Sequence, residues 1–149
     1  MRTNPTPRRS RLASVLGVAL AAAAFLPATA SAVAAAEEPP DQTLRGRGLA
    51  VCPVDAYCLY EFENFNRDNP RGGAVWAYYG TVYEMDRSAD DRASSVFNNT
   101  RKAVHLYEDS DFRGRCADLQ AYSSEPRLKE LALDRRISSV ATREQMHCR

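Results

Sequence analysis

The chain repeats itself. Asp90-Asp91-Arg92-Ala93-Ser94-Ser95-Val96 is followed 44 residues later by Asp134-Arg135-Arg136-Ile137-Ser138-Ser139-Val140. Each copy closes a segment that opens in the same way. The first opens Cys58-Leu59-Tyr60-Glu61, with Phe65 and Gly72-Gly73 following; the second opens His105-Leu106-Tyr107-Glu108, with Phe112 and Gly114 following. A doubled unit of about 45 residues means that whatever one copy folds into, the other must fold into as well, and that the two share a core.

Each unit reads as four short strands. In the first, the candidates are Tyr57 to Phe62, Ala74 to Tyr79, Thr81 to Glu84 and Ser95 to Phe97, punctuated by Pro53, Asn64, Gly72-Gly73, Gly80 and Asn98-Asn99. In the second they are Ala103 to Glu108, Arg115 to Leu119, a weaker piece at Leu131 to Leu133, and Ser138 to Thr142. The stretch Pro126 to Leu131 could instead be one helical turn. Short strands at regular spacing, separated by turn residues, predict an all-β sandwich or barrel, and two four-stranded units fit two Greek keys packed face to face. The keys are expected at about 56–100 and 103–142.

The first third of the chain has a different character. Arg2, Arg8, Arg9 and Arg11 precede an apolar run from Leu12 to Leu26, and Ala28-Thr29-Ala30 and Ala30-Ser31-Ala32 offer small-residue cleavage sites. Residues 1–32 therefore read as a signal peptide rather than a membrane anchor, since the apolar run is too short to span a bilayer comfortably. Arg8-Arg9 suggests twin-arginine export, but Arg11 stands where that signal wants an apolar residue, which favours the general pathway. Residues 33–50, with Glu37-Glu38-Pro39-Pro40-Asp41 and Arg45-Gly46-Arg47-Gly48, read as a flexible tail, leaving a domain at 51–149. Without the leader the chain carries 16 basic and 19 acidic residues, a net −3. That balance argues against nucleic acid as a partner, and no polybasic amphipathic stretch argues for a membrane after cleavage. The expectation is a secreted, extracellular monomer.

All four cysteines, Cys52, Cys58, Cys116 and Cys148, lie beyond the leader. An even count in a small exported domain reads as disulfides. Three connectivities are open, and the favoured one joins Cys52 to Cys58 as a short clip before the first strand and Cys116 to Cys148 across the second unit. A zinc site from these thiols with His105 and His147 matches no zinc spacing. No nucleophile elbow, phosphate loop or paired-carboxylate context is present, so neither an enzyme nor a nucleotide site is expected.

Tyr60 to Ser94 spans three residues more than Tyr107 to Ser138, and the surplus falls most naturally at Asn66-Arg67-Asp68-Asn69-Pro70-Arg71. Long polar loops on a rigid scaffold are where binding concentrates, though a harmless insertion would look the same. Asn98-Asn99-Thr100 is a glycosylation sequon, and Trp76-Ala77-Tyr78-Tyr79 reads as strand packing rather than a binding patch.

These residues carry a resemblance. Tyr107, Glu108, Phe112 and Gly114 meet the Tyr-Glu-x-x-x-Phe-x-Gly pattern in full and resemble the βγ-crystallin Greek-key signature. The Cys-Pro-x4-Cys-Leu-Tyr-Glu run from Cys52 to Glu61 is similar to small secreted bacterial proteins classed with the extracellular metallopeptidase inhibitors. The resemblance covers about 51–142 and implies a disulfide-stapled βγ-crystallin-like sandwich. In such a unit the Gly permits a backbone fold-over, Tyr and Phe cover it, and the second Ser, Ser95 or Ser139, hydrogen-bonds it. It also implies an inhibitor of an extracellular peptidase, with partner-binding residues sought in two loops: Asn66, Arg67, Asp68, Asn69 and Arg71 in one, and Ser123, Ser124, Glu125 and Arg127 in the other. The alternative is a calcium-binding structural or stress-related extracellular protein without inhibitory activity.

Asp90 to Ser95 matches the family's calcium pattern. Carried over, one site would comprise Glu61, Asp91, Arg92 and Ser138. A second would comprise Glu108, Arg135, Arg136 and Ser94, but Arg135 stands where a carboxylate or amide is required, and a guanidinium has no lone pair to give. The resemblance thus implies a single weak calcium site centred on Asp91 and a degenerate second one; the loop read without it is a capped turn.

Overall fold

The computed structural model describes residues 40–142 and 148. The expected leader, the first part of the expected tail and His147 lie outside the described residues.

Among the described residues eight strands form: β1 (Gln42–Gly46), β2 (Tyr57–Tyr60), β3 (Gly73–Tyr78), β4 (Ser95–Asn98), β5 (Val104–Asp109), β6 (Arg113–Leu119), β7 (Ser124–Glu125) and β8 (Ser139–Ala141). They make two antiparallel sheets, one in the order β1-β3-β2-β4-β7 and one in the order β6-β5-β8. Alternation along β2 and β3 sends Tyr57, Leu59, Trp76 and Tyr78 inward, where they join Leu106, Leu128, Leu133, Ile137 and Val140 in the core between the sheets. Tyr57 and Tyr78 stack at 5.6 Å between ring centroids. The aromatic run at Trp76 is thus core packing, with Tyr79 left outside.

The third strand of each unit leaves its own sheet. In the first unit only Val82 of the expected Thr81–Glu84 strand pairs, and it pairs with Val140 of the second unit, through bonds of 2.8 and 2.9 Å. In the second unit the third strand is β7, which pairs with β4 of the first: Val96 with Glu125 and Phe97 with Ser124. The expected strand at Leu131–Leu133 is corrected: Leu128–Leu131 is a 3₁₀ turn, ended by Ala132 at φ 54°, a left-handed conformation that cannot continue as a strand. The turn seats Leu128 and Leu133 in the core.

The tail expectation also needs correction from Gln42 onward. β1 pairs with β3 over five residues, and Leu44, Leu49 and Val51 pack with Cys52, Cys58, Tyr60, Phe65, Val75 and Ala77 on the outer face of the first sheet. Alternate Leu and Val among arginines and glycines suffice here because that face of β2 and β3 is apolar and must be covered.

In each unit the hairpin after the first strand folds back on itself. Phe65 (φ 57°) and Phe112 (φ 60°) are left-handed, and their rings pack on Tyr60 and Tyr107, both at 5.6 Å. Ser95 Oγ accepts from the Phe65 amide at 3.1 Å and donates to the Phe62 carbonyl at 2.7 Å. Ser139 Oγ accepts from the Phe112 amide at 3.1 Å and donates to the Asp109 carbonyl at 2.6 Å. A Cβ on Gly73 would lie 2.7 Å from the Phe62 ring, and Gly114, at the equivalent position, takes φ 76°, so glycine is favoured at the first by close approach and at the second by its backbone conformation. The disulfides join Cys52 to Cys58 and Cys116 to Cys148, with Cα separations of 5.8 and 5.6 Å.

Replacing Ser95 by Ala removes the hydroxyl that partners two backbone groups, the Phe65 amide and the Phe62 carbonyl. We expect a loss of about 2–3 kcal/mol, read as a lower urea midpoint at unchanged slope. A loss below about 0.5 kcal/mol would show that the hydroxyl does not hold the fold-over.

Candidate functional site

The loop residues expected to meet a partner are brought together by one backbone hydrogen bond and one ion pair. The register places Val75 opposite Tyr60 and Cys116 opposite Tyr107, so the first hairpin is six residues longer than the second. The surplus is the Asn66–Arg71 loop, twice the length difference read across the whole unit, because the second unit recovers three residues further along. The base of the loop is tied to the second unit: the Asn64 amide donates to the Pro126 carbonyl at 2.8 Å, and Lys129 Nζ pairs with Glu63 at 2.8 Å. The two candidate loops therefore form one surface, with Glu63, Asn64, Asp68, Pro126 and Arg127 lining the cleft between them.

Within it the residues divide. Asn66 is fully buried; its Oδ1 accepts from the Phe62 amide, and its Nδ2 donates to Gly46 and Ala74. It is a brace, which corrects its assignment as a contact residue. Arg67 lies over the Phe65 ring at 5.4 Å. Asp68 accepts from Asn64 Nδ2 at 3.1 Å, and Asn69 Oδ1 accepts from the Arg71 amide at 3.1 Å, so the loop is ordered by its own side chains while Asp68 and Arg71 stay exposed. Across the cleft, Ser124 and Glu125 lie in β7, and Arg127 is exposed beside Glu130 at 3.4 Å. Ser123 donates to the Gln120 carbonyl at 2.7 Å.

The calcium-pattern residues meet at two pseudo-symmetric corners, in groupings that differ from the expected ones. The Asp91 amide donates to Ile137 and the Ser138 amide to Tyr107, which puts Asp91 and Ser138 beside Glu108. The Arg135 amide donates to Ala93 and the Ser94 amide to Tyr60, which puts Arg135 and Ser94 beside Glu61. The two glutamates thus exchange places. Each is engaged by its own unit: Glu61 accepts from the Ala74 amide at 2.8 Å and pairs with Arg92 at 3.8 Å, while Glu108 accepts from the Arg115 amide at 3.3 Å and pairs with Arg136. At the Asp91 corner, Ser138 Oγ lies 3.5 Å from Asp91 Oδ1. Shielding of the carboxyl, with the negative charges of Asp90 and Glu108 behind it, pushes the Asp91 pKa up against the opposing Ser138 bond and the Arg136 charge. A cation would relieve that repulsion, and two side-chain oxygens are in place for one; at the other corner Arg135 offers none. Carboxylate and hydroxyl oxygens are the donor type calcium takes, and only the Asp91 corner brings both together.

Other candidate chemistry is absorbed by structure. Both cysteine pairs are oxidised, and His105 Nδ1 lies 2.6 Å from Asp118 within the second sheet. The Asn98 side chain is fully buried, its Nδ2 serving the carbonyls of Lys102, Leu119 and Gln120, which leaves no accessible amide for a glycan. What sequence reasoning missed is the most exposed large apolar side chains among the described residues, Val54 at 75% and Tyr122 at 58%. The one signal for Val54 was its place between two cysteines only six residues apart.

Comparison with known proteins agrees with this architecture. The model of peptidase inhibitor family I36 matches residues 46–119. No curated protein matches the chain. A structure from work on the evolution of the eye-lens βγ-crystallin domain fold is 27% identical over 69% of this chain and 100% of its own, with a TM-score of 0.55. A βγ-crystallin from Ciona intestinalis is 20% identical over 59% of this chain and 99% of its own, with a TM-score of 0.50, a likeness of fold alone. The fold is thus that of a βγ-crystallin, and through residues 46–119 the chain belongs with peptidase inhibitor family I36, a family of non-enzymatic inhibitors.

Proposed function

We propose that this chain is exported and inhibits an extracellular peptidase by presenting pre-ordered loops to it. The observation that carries the reading is the family match over residues 46–119, which spans the first hairpin, its long loop and both strands that follow into the second unit. Export is supported by the arginine-rich, apolar leader and by the two disulfides, which form and persist in oxidising surroundings. A rigid loop binds tightly because little ordering entropy is lost on association. The surface built from Asn66–Arg71 and Ala121–Arg127 supports that reading, since Asp68, Asn69, Ser123 and Glu125 each accept or donate a hydrogen bond within it. Asp68, Arg71 and Arg127 are its charged contacts.

Stoichiometric inhibition of a thermolysin-like or a subtilisin-like peptidase by the full chain is the expected result. Asp68→Ala and Arg127→Ala should each weaken it by roughly two- to five-fold, as exposed rim charges worth about 0.5–1 kcal/mol do. Failure to inhibit either class while the chain stays intact would contradict the reading.

One observation favours a second property. The Asp91–Ser138 pairing supports a single weak calcium site, held by the Asp91 carboxylate and the Ser138 hydroxyl beside Glu108, with an affinity of order 10⁻⁴ to 10⁻³ M as for extracellular modules. Calcium would charge-compensate the corner, and because only ionised Asp91 ligates, its stabilising effect should grow as pH rises through the upshifted pKa of that group. Calorimetric titration should show one site in the wild type and none in Asp91→Ala; equal binding by both would rule the assignment out.

A further inference from the structure

Between Cys52 and Cys58 the chain forms a small ring whose tip does no packing. The Ala56 amide donates to the Pro53 carbonyl at 3.4 Å, closing a turn with Val54 and Asp55 at its tip, and Asp55 takes φ 62° as the third position of such a turn demands. The disulfide closes the ring, and Pro53 fixes its own φ at the entry. From beneath, a single residue braces the backbone on both sides of the tip. Asn99 Nδ2 donates to the Pro53 carbonyl at 2.9 Å and to the Cys52 carbonyl at 3.3 Å. The Asn99 carbonyl accepts from the Asp55 amide at 3.1 Å, and its amide donates to the Ala56 carbonyl at 3.0 Å. Every backbone group flanking Val54 that Asn99 can reach is thereby fixed, and the valine projects with 75% of its surface in water.

An isolated exposed valine is ordinary. One carried on a disulfide ring and braced by four bonds to a neighbouring segment is different, because the bracing contributes nothing to burying that side chain. It fixes the direction in which the side chain points. The same platform holds the other large exposed apolar group. The Tyr122 amide donates to the Thr100 carbonyl at 3.2 Å, and Ser123 accepts from the Asn98 amide at 2.9 Å. From Tyr122 the chain runs along β4 as β7 to Pro126, which meets Asn64 at the opposite end of the sheet. The Val54 ring, Tyr122, β7 and the Asn66–Arg71 loop therefore follow one border of the first sheet, with the two exposed apolar groups at one end, beside the charged Asp55, Arg101 and Lys102, and polar and charged loop residues at the other.

We propose that Val54 is the side chain that enters the specificity pocket of the target peptidase, that Tyr122 flanks it, and that the target is an endopeptidase whose pocket accepts a small branched aliphatic side chain. This rests on the inhibitor reading and adds to it the anchor and the class of target. The charged loops at the far end are then rim contacts, and the fixed carbonyls around Val54 hold the turn in place against the peptidase cleft.

The test measures inhibition by the full chain of an elastase-like and a thermolysin-like peptidase, with the wild type, Val54→Asp, Val54→Ile and Tyr122→Ala compared at matched melting temperature. Because Val54 is exposed, its replacements should melt with the wild type. Val54→Asp should weaken inhibition by roughly 100-fold, as loss of a central anchor does; Tyr122→Ala should weaken it by roughly 10-fold, and Val54→Ile by less than about 3-fold. A wild type that inhibits while Val54→Asp inhibits equally well would overturn the anchor and leave the inhibitor reading standing. A wild type that inhibits neither peptidase would overturn this assignment, and one that also fails against a subtilisin-like peptidase would overturn the inhibitor reading itself.

Discussion

Two buried serine hydroxyls hold the hairpins that define the fold. Ser95 and Ser139 each span a backbone that turns back through a left-handed phenylalanine, a conformation with a cost of about 1–2 kcal/mol for an L-residue. Without the hydroxyl, the amide after the fold-over and the carbonyl before it would be left without partners away from water. With it, Tyr60 and Phe65 in one unit, and Tyr107 and Phe112 in the other, close over the bend. Each serine is also the first residue of β4 or β8, so the clamp fixes where the last strand of each unit begins.

From that point the two units become inseparable. The strand after the clamped hairpin crosses to the partner unit in both directions, Val82 to β8 and β7 to β4. Neither sheet is complete from one unit alone, so the loops at the sheet border are held by residues distant in sequence. This is why Asn64 can reach Pro126, and why Asn99, in the link between the units, can brace a turn at Pro53–Ala56. Rigidity at the border is a consequence of the exchange and needs no large core beneath the loops.

The doubled motif made much of this legible. It announced the strands beginning at Tyr57, Ala74, Ser95, Ala103, Arg115 and Ser138, to within two residues of where they form, and the role of the second serine, because the motifs that open and close each unit repeat. What stayed hidden depended on contacts that no local pattern encodes. The third strands are too short to alternate, and their partners lie in the other unit. β1 reads as a polar tail because its five residues include only Leu44 as a large apolar group; it becomes a strand by covering a face that the sequence could not show to be bare. The regrouping of Glu61 and Glu108 follows from the same exchange: each calcium-pattern serine lies beside its own unit's glutamate and against the other unit's aspartate or arginine. Val54 and Tyr122 were invisible for the opposite reason, since exposure of an apolar side chain leaves no periodic trace.

The account predicts that one border of the first sheet is the surface a peptidase covers. Hydrogen exchange of the full chain, alone and saturated with a peptidase it inhibits, tests that directly. Slowed exchange at residues 54–55 and 122–127, with β5, β6 and β8 unchanged, is the predicted result. Protection that instead falls on β5 and β6, with the Val54 turn and the Tyr122 segment exchanging as in the free chain, would contradict it.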